Sequence, residues 1–161
     1  PDTLVTQWRT TPVTVDWNDD GLVDLVMLDQ EGYLAYFERV ERDGERMLLP
    51  GDRVFVDGDG QPLRMNDGVR GKSGRRKLCI VDWDGDGDKD VIANSTSAEL
   101  WLNTGTQDGK VVLESQGGMT DSVLAGHTTS PTPVSWDQEA ALPGLLIGAE
   151  DGFFYYYPRE R

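Results

Sequence analysis

The sequence predicts an all-β fold, and three observations lead to this prediction. Short runs rich in β-branched and aromatic residues alternate with clusters of Gly, Asp, Asn and Pro, the pattern of strands joined by tight turns. No segment shows the 3.6-residue period of an amphipathic helix. The 161 residues include 19 Gly and 8 Pro, and such a high turn content suits many short strands.

One sequence unit occurs three times along the chain, and internal repeats of this kind determine the fold. Each copy contains an apolar strand that ends in Trp, a polar loop, a second apolar strand, a turn and a third strand rich in aromatic residues. The predicted strands are 13–17, 25–28 and 33–37 in the first copy, 78–83, 91–94 and 100–102 in the second, and 133–136, 145–148 and 153–157 in the third.

The spacing inside the copies is more regular than the spacing between them. The second strand begins eight positions after Trp17 and Trp83 and nine after Trp136, whereas these three residues are 66 and 53 positions apart. A constant unit with joints of variable length is typical of β-propeller blades. We therefore expect a β-propeller segment of about three four-stranded blades. The outer strands are predicted at 47–56 with 63–65, around a hairpin turn at 57–60, and at 111–114 with 122–124.

The domain organisation follows from these copies. We expect one propeller-type repeat domain over 1–161, with repeat units of about 1–66, 67–125 and 126–161. Propellers typically have about 4 to 8 blades, so three blades do not close a ring. The chain is therefore expected to be a fragment of a longer propeller, with the remaining blades supplied by the parent chain or by an oligomer.

The composition excludes several functional classes. The formal charge of −14, from 29 acidic and 15 basic residues, argues against binding to a nucleic-acid backbone. No run approaches the roughly 20 apolar residues of a membrane span. The single cysteine, Cys79, lies in the apolar run 78–81 and is expected to be a small buried residue rather than part of a disulfide framework.

Two of the three loops have oxygen-bearing side chains at alternating positions, which is a pattern of calcium ligands. These side chains stand at positions 1, 3, 5 and 9, with Gly at position 6 for the sharp turn and a backbone carbonyl ligand at position 7. An EF-hand is rejected, because Met27 and Ala93 stand at position 12 in place of Glu. Two calcium sites are therefore predicted, with the ligands Asp16, Asn18, Asp20, Leu22 and Asp24 in one and Asp82, Asp84, Asp86, Asp88 and Asp90 in the other.

The third loop departs from this pattern. It begins with Ser135 in place of the first Asp, has Ala140 at the glycine position and is one residue longer. We expect this loop to bind no metal.

The repeated units resemble FG-GAP/VCBS repeats, whose blades consist of an apolar strand, an Asp-rich calcium loop, a second apolar strand, a Gly turn and an aromatic strand. The resemblance covers all three copies, about half of the residues. It implies an extracellular calcium-binding β-propeller of the kind found in adhesion receptors, lectins and bacterial polysaccharide-degrading enzymes. The expected location is secreted, cell-surface or periplasmic.

Two functions remain open at this point. The first is a calcium-stabilised binding or scaffold module for glycans or a protein partner. The second is part of a polysaccharide lyase or glycoside hydrolase of propeller fold, in which His127 abstracts a proton and Arg75 holds a uronate carboxylate. Against the second function, the basic residues that precede the inner strands are more simply explained as solvated loop residues on an acidic surface. This basic set is Arg9, Arg70, Lys72, Arg75, Arg76 and Lys77.

Overall fold

The computed structural model describes residues 5–68, 75–126, 128–136 and 139–159, and within these ranges the chain is all-β, as predicted. No helix in these ranges is long and apolar enough to cross a membrane. The strands are β1 Val13–Val15, β2 Asp24–Leu28, β3 Leu34–Phe37, β4 Arg39–Arg42, β5 Glu45–Leu48, β6 Phe55–Val56, β7 Leu78–Val81, β8 Asp90–Asn94, β9 Ala98–Gln107, β10 Lys110–Gly118, β11 Ser130–Val134, β12 Gly144–Gly148 and β13 Phe154–Tyr157.

The chain forms two compact units. The first unit consists of Pro1–Arg76 and Thr106–Val112, and the second of Lys77–Gly105 and Leu113–Arg161. The first unit contains the first sequence copy, and the second unit contains the other two.

The first copy forms the antiparallel sheet β1-β2-β3, in agreement with its three predicted strands. The outer edge of β3 is also hydrogen-bonded. The Leu34 amide donates to the Leu63 carbonyl at 2.9 Å, and Tyr36 and Asp52 exchange two backbone bonds of 2.9 and 2.8 Å. Two short segments therefore occupy the position of a fourth strand beside β3.

The rest of the first unit differs from the prediction in one respect. The predicted strand at 47–56 is wrong, because β5 ends at Leu48 and pairs with β4, while β6 covers only Phe55–Val56. Pro50 and Gly51 separate these strands, and both residue types interrupt a sheet ladder. The hairpin turn at 57–60 is confirmed, since the Asp57 amide donates to the Gln61 carbonyl at 2.9 Å.

The second copy forms the antiparallel sheet β7-β8-β9, and β10 pairs with the outer edge of β9. The prediction that 111–114 pairs with 122–124 is wrong, because 122–124 forms no strand and β9 and β10 make one long hairpin instead. Its turn consists of Asp108 and Gly109, with φ of 50° and 76°. Two consecutive residues of positive φ are the requirement of a type I′ hairpin turn, so this pair determines the strand pairing. Within the first unit, Val111 and Val112 pair in parallel with β6.

The third copy forms the antiparallel sheet β11-β12-β13, again as predicted. In the second unit this sheet packs face to face on the sheet of the second copy, with β11 against β7 and β8. The centre of the contact consists of the buried side chains of Ile92, Ala98, Leu145 and Ile147. Burial of aliphatic side chains between two sheets is the main stabilising contribution here.

The geometry of the turn between β2 and β3 predicts that a methyl group added at Gly32 strongly lowers the stability of the fold. Gly32 has φ of 86°, and a Cβ atom there would lie 2.0 Å from the Asn66 carbonyl oxygen. Gly44 has a similar φ of 78°, but a Cβ atom there would have no neighbouring atom within 4 Å. Gly32→Ala should therefore lower the free energy of unfolding by about 3 kcal/mol, from left-handed strain of about 1 to 2 kcal/mol and the added clash.

Gly44→Ala is the matched control, and it should cost only the strain of about 1 to 2 kcal/mol. Urea denaturation of the two variants measures the difference. Equal losses of stability would show that the contact between the turn and Asn66 does not restrain residue 32.

Candidate metal centre

The first Asp-rich loop curls around the side chains at its odd-numbered positions. Asp16 accepts hydrogen bonds from two backbone amides, that of Asp20 at 3.1 Å and that of Gly21 at 2.9 Å. Asp20 accepts the Leu22 amide at 2.7 Å and the Asn18 side-chain amide at 3.1 Å. The predicted ligands at positions 1, 3 and 5 are therefore close together and fixed by the backbone of their own loop.

The second loop repeats two of these bonds at the same positions. The Gly87 amide donates to Asp82 at 3.1 Å, and the Asp88 amide donates to Asp86 at 2.8 Å. Positions 4 and 6 have positive φ in both loops, which lets the chain turn twice within six residues. The residues in this conformation are Asp19 (57°), Gly21 (86°), Gly85 (86°) and Gly87 (97°).

Three carboxylates of the second loop converge. One oxygen from each of Asp82, Asp84 and Asp86 lies within 4.8 Å of the others. Two oxygens on opposite sides of a calcium ion, each bonded at about 2.3 to 2.6 Å, are at most about 4.6 to 5.2 Å apart. The spacing and the all-oxygen chemistry of the donors therefore fit calcium. In the first loop the middle member is Asn18, whose carbonyl oxygen is also a calcium donor.

The aspartate at position 9 has a role that the sequence pattern did not predict. The Asp24 side chain is fully buried, and its Oδ2 accepts the Trp17 amide at 3.0 Å and the Tyr36 hydroxyl at 2.9 Å. Its Oδ1 accepts the Arg39 amide at 2.7 Å. Asp24 thus joins the start of its loop to the start of β4, just after β3. Burial, and then the hydrogen bond to Asp24, raises the pKa of Tyr36.

Asp90 makes the equivalent connections in the second copy. Its exposure is 1%, and it accepts the Trp83 amide at 2.7 Å and the Asn103 amide at 2.8 Å. Burial raises the pKa of Asp90, while these two backbone donors act in the opposite direction. A carboxylate has about four lone-pair sites, so these bonds leave room for a further cationic partner. The predicted metal ligation by Asp24 and Asp90, and by the carbonyls of Leu22 and Asp88, stays a prediction.

The third copy replaces this carboxylate with an aromatic ring. Gly144 stands at the position of Asp24 and Asp90, and a Cβ atom there would lie 2.7 Å from the ring and hydroxyl of Tyr156. By strand register Tyr156 corresponds to Tyr36. Residues 137 and 138 of the third loop lie outside the described residues.

The described residues do not include the whole candidate catalytic set. His127 lies outside the described residues, as do Arg70 and Lys72, so the lyase hypothesis rests on sequence alone. Arg75 is exposed. Of the other basic candidates, Arg76 donates to the Met65 carbonyl at 2.8 Å, the Lys77 ammonium group bonds to the Ser130 hydroxyl, and Arg9 lies over the Trp8 ring.

Cys79 is a partly buried free thiol in β7. Its Sγ donates to the Pro131 carbonyl at 2.8 Å, and burial raises the pKa of the thiol. The expectation of a small buried residue is met only in part, because the Cys79 side chain is partly buried and has its own hydrogen-bond partner.

The tryptophan that begins each loop has a different partner in each copy. Trp17 meets Phe55 edge to face, with ring centroids 4.9 Å apart. Trp83 lies under the guanidinium group of Arg159, 4.5 Å from the ring centroid. Trp136 contacts Tyr156 at 4.8 Å but remains 62% exposed.

Comparison of the chain with protein-family models, with curated proteins and with solved structures finds no match in any of the three.

Because the carboxylates at position 9 are buried and hydrogen-bonded, the nearly isosteric change from Asp to Asn is expected to lower the stability of the fold. Asp90→Asn should lower the free energy of unfolding by about 1 to 3 kcal/mol in the presence of a chelator, because the amide nitrogen would face a backbone donor. Asp84→Asn, at an exposed position of the same loop, should change it by no more than about 0.5 kcal/mol. Urea denaturation measures both variants. If Asp90→Asn were as mild as Asp84→Asn, the Trp83 and Asn103 bonds would not support the fold.

Proposed function

We propose that this chain is a calcium-binding β-propeller segment of the FG-GAP/VCBS type, and that calcium stabilises the first two of its three repeats. The observation that carries this proposal is the pair of matching loops. Each places oxygen donors at positions 1, 3 and 5 with the same backbone bonds and the same positive-φ positions, and in one of them three carboxylate oxygens converge.

The arrangement of the sheets supports the propeller part of the proposal. Each sequence copy forms its own antiparallel sheet, and in the second unit two successive sheets pack face to face through aliphatic side chains. Propeller blades are successive antiparallel sheets that pack on their neighbours in this way.

Electrostatics also favour a cation in these loops. The second loop carries five acidic residues within nine positions, and mutual repulsion between them opposes the compact loop. A bound divalent ion would neutralise part of this charge and supply partners for the oxygens that face inward. Extracellular calcium modules bind with dissociation constants of about 10⁻⁴ to 10⁻³ M, which suits the proposed secreted, cell-surface or periplasmic location.

The proposed activity is binding, with the propeller segment as a rigid scaffold that presents its loops and edges to a glycan or to a protein partner. The loop carboxylates are assigned to calcium, which leaves them with a structural role rather than that of acid and base. The formal charge of −14 argues against a nucleic-acid backbone as the ligand.

Calcium should raise the thermal stability of the chain. An ion that binds only the folded state stabilises it by RT ln(1 + [L]/Kd), about 2.7 kcal/mol at a hundredfold excess over Kd. Thermal melts with calcium and with a chelator should therefore differ strongly, and the difference should disappear in the double variant Asp16→Ala/Asp82→Ala. Each single variant should retain the contribution of the other loop.

The matched control is Asp57→Ala/Asp59→Ala, which removes two aspartates from an Asp-Gly turn outside the predicted sites. This variant should keep the full calcium-dependent shift, whatever its stability without calcium. An unchanged melting temperature on addition of calcium would contradict the proposed metal sites, and so would a shift that survives in Asp16→Ala/Asp82→Ala.

Binding and lyase activity are separated by one assay. With calcium present, the chain should bind one or more members of a panel of polysaccharides in affinity electrophoresis without forming ultraviolet-absorbing unsaturated uronates. Formation of such products, and its loss in Arg75→Ala and in His127→Ala, would instead establish the lyase. Absence of both binding and products across the panel would leave a protein as the partner of the scaffold.

A further inference from the structure

The third strand of the first repeat carries polar residues where the second repeat carries leucines. Strand register makes Tyr36 equivalent to Leu100, which packs against the apolar core of its own unit. Two residues further along, and therefore on the same side of the strand, Glu38 corresponds to Leu102. The first repeat thus differs from the second in the polar groups that stand beside its Asp-rich loop.

Glu38 lies directly after β3, and the backbone holds it in place. Its carbonyl accepts the Leu49 amide at 2.8 Å, and the next amide, that of Arg39, donates to the buried Asp24 at 2.7 Å. The Glu38 side chain reaches the first Asp-rich loop, where its Oε1 lies 3.5 Å from the Asn18 Nδ2. The fold therefore places a carboxylate from outside the loop beside position 3.

The amide nitrogen of Asn18 bridges two carboxylates. It donates to Asp20 Oδ2 at 3.1 Å and to Glu38 Oε1 at 3.5 Å. Two carboxylates that share one neutral donor still repel each other, so this point of the loop favours a cation. Rotation of the Asn18 amide group would turn its oxygen, which is a calcium donor, toward the same point.

The loop of the first repeat offers a metal ion less than that of the second at two positions. Position 3 is the neutral Asn18 in the first loop and the charged Asp84 in the second. At position 9, Asp24 accepts two backbone amides and the Tyr36 hydroxyl, whereas Asp90 accepts two backbone amides. The first loop therefore has less negative charge and fewer free lone pairs, and an additional carboxylate would make up both differences.

We propose, on the basis of the calcium sites proposed above, that Glu38 is a further ligand of the calcium ion in the first loop. The number of charged ligands is one of the factors that set calcium affinity. The acidic side chains around the first ion are then Asp16, Asp20, Asp24 and Glu38, which match in number Asp82, Asp84, Asp86 and Asp90 of the second site. The first ion is thereby tied to the junction of β3 and β4 as well as to its own loop.

Calcium titration of the full chain by isothermal titration calorimetry tests this proposal. The substitution Asp82→Ala removes the first ligand of the second loop, so a chain that carries it reports on the first site alone. In this parent, Glu38→Gln should raise the calcium Kd about tenfold or more, because the site loses a charged ligand.

Glu45→Gln in the same parent is the matched control. Glu45 is exposed at the far end of the β4–β5 hairpin, and its substitution changes the net charge by the same amount. It should leave the calcium Kd within about twofold of the parent value, because charges far from the ion are screened by salt.

Two further measurements separate ligation from a purely structural role. In a chelator, Glu38→Gln should unfold at the same urea concentration as its parent, because the exposed hydrogen bond to Asn18 contributes little. Terbium bound in the first loop and excited through Trp17 reports its coordinated waters by its luminescence lifetimes in light and heavy water. Glu38→Ala should add about one coordinated water, since water takes the place of a lost oxygen ligand.

An unchanged calcium Kd in Glu38→Gln would overturn the role of Glu38 and leave the first calcium site standing. An equal loss of affinity in Glu45→Gln would overturn it as well, because net charge would then be the cause. An unchanged number of coordinated waters in Glu38→Ala would show that Glu38 is not a ligand. A parent that binds no calcium would instead contradict the first metal site itself, and the role of Glu38 with it.

Discussion

The buried carboxylate at position 9 is the interaction on which the first two repeats depend. Asp24 and Asp90 each accept a hydrogen bond from the backbone amide of the tryptophan near the start of the loop. Each also accepts one from a later backbone amide, that of Arg39 for Asp24 and that of Asn103 for Asp90. A buried charge is costly unless it is paired or hydrogen-bonded, and here backbone amides supply donors to both carboxylates, with the Tyr36 hydroxyl as a further donor to Asp24. One side chain thus holds the start of the loop against its end, while backbone amides within the loop hold the side chains of positions 1 and 5.

The third repeat shows how the sheet persists without this carboxylate. Gly144 leaves space for the Tyr156 ring, so an aromatic contact replaces hydrogen bonds to a charge. Replacement of a buried ionic group by apolar packing is often neutral for stability. The third loop differs from the other two at its first and sixth positions and at the position equivalent to the ninth, where Ser135, Ala140 and Gly144 stand.

The sequence predicted the inner strands well, because runs such as Leu78–Val81 and Gly144–Gly148 combine apolar side chains with flanking turn residues. It predicted the outer strands poorly. β4 and β5 are short and polar, so their sequence pattern does not differ from that of a loop. The pairing of β10 with β9 depends on the turn at Asp108 and Gly109, which the predicted pairing of 111–114 with 122–124 did not use. The role of Asp24 could not be read from the sequence, since a metal ligand and an acceptor of backbone amides are the same residue type. The folded chain shows the acceptor role of Asp24 and Asp90, while metal ligation by these two residues stays a prediction.

The environment of Cys79 has a consequence for redox chemistry. An unpaired cysteine is a hazard in an oxidising compartment, because its thiolate attacks other thiols and disulfides. Here burial raises the thiol pKa and the Pro131 carbonyl accepts its proton, so the reactive thiolate is scarce and poorly accessible. With one cysteine in the chain and its thiol hydrogen-bonded, the fold does not rely on disulfides within the chain and resists forming accidental cross-links.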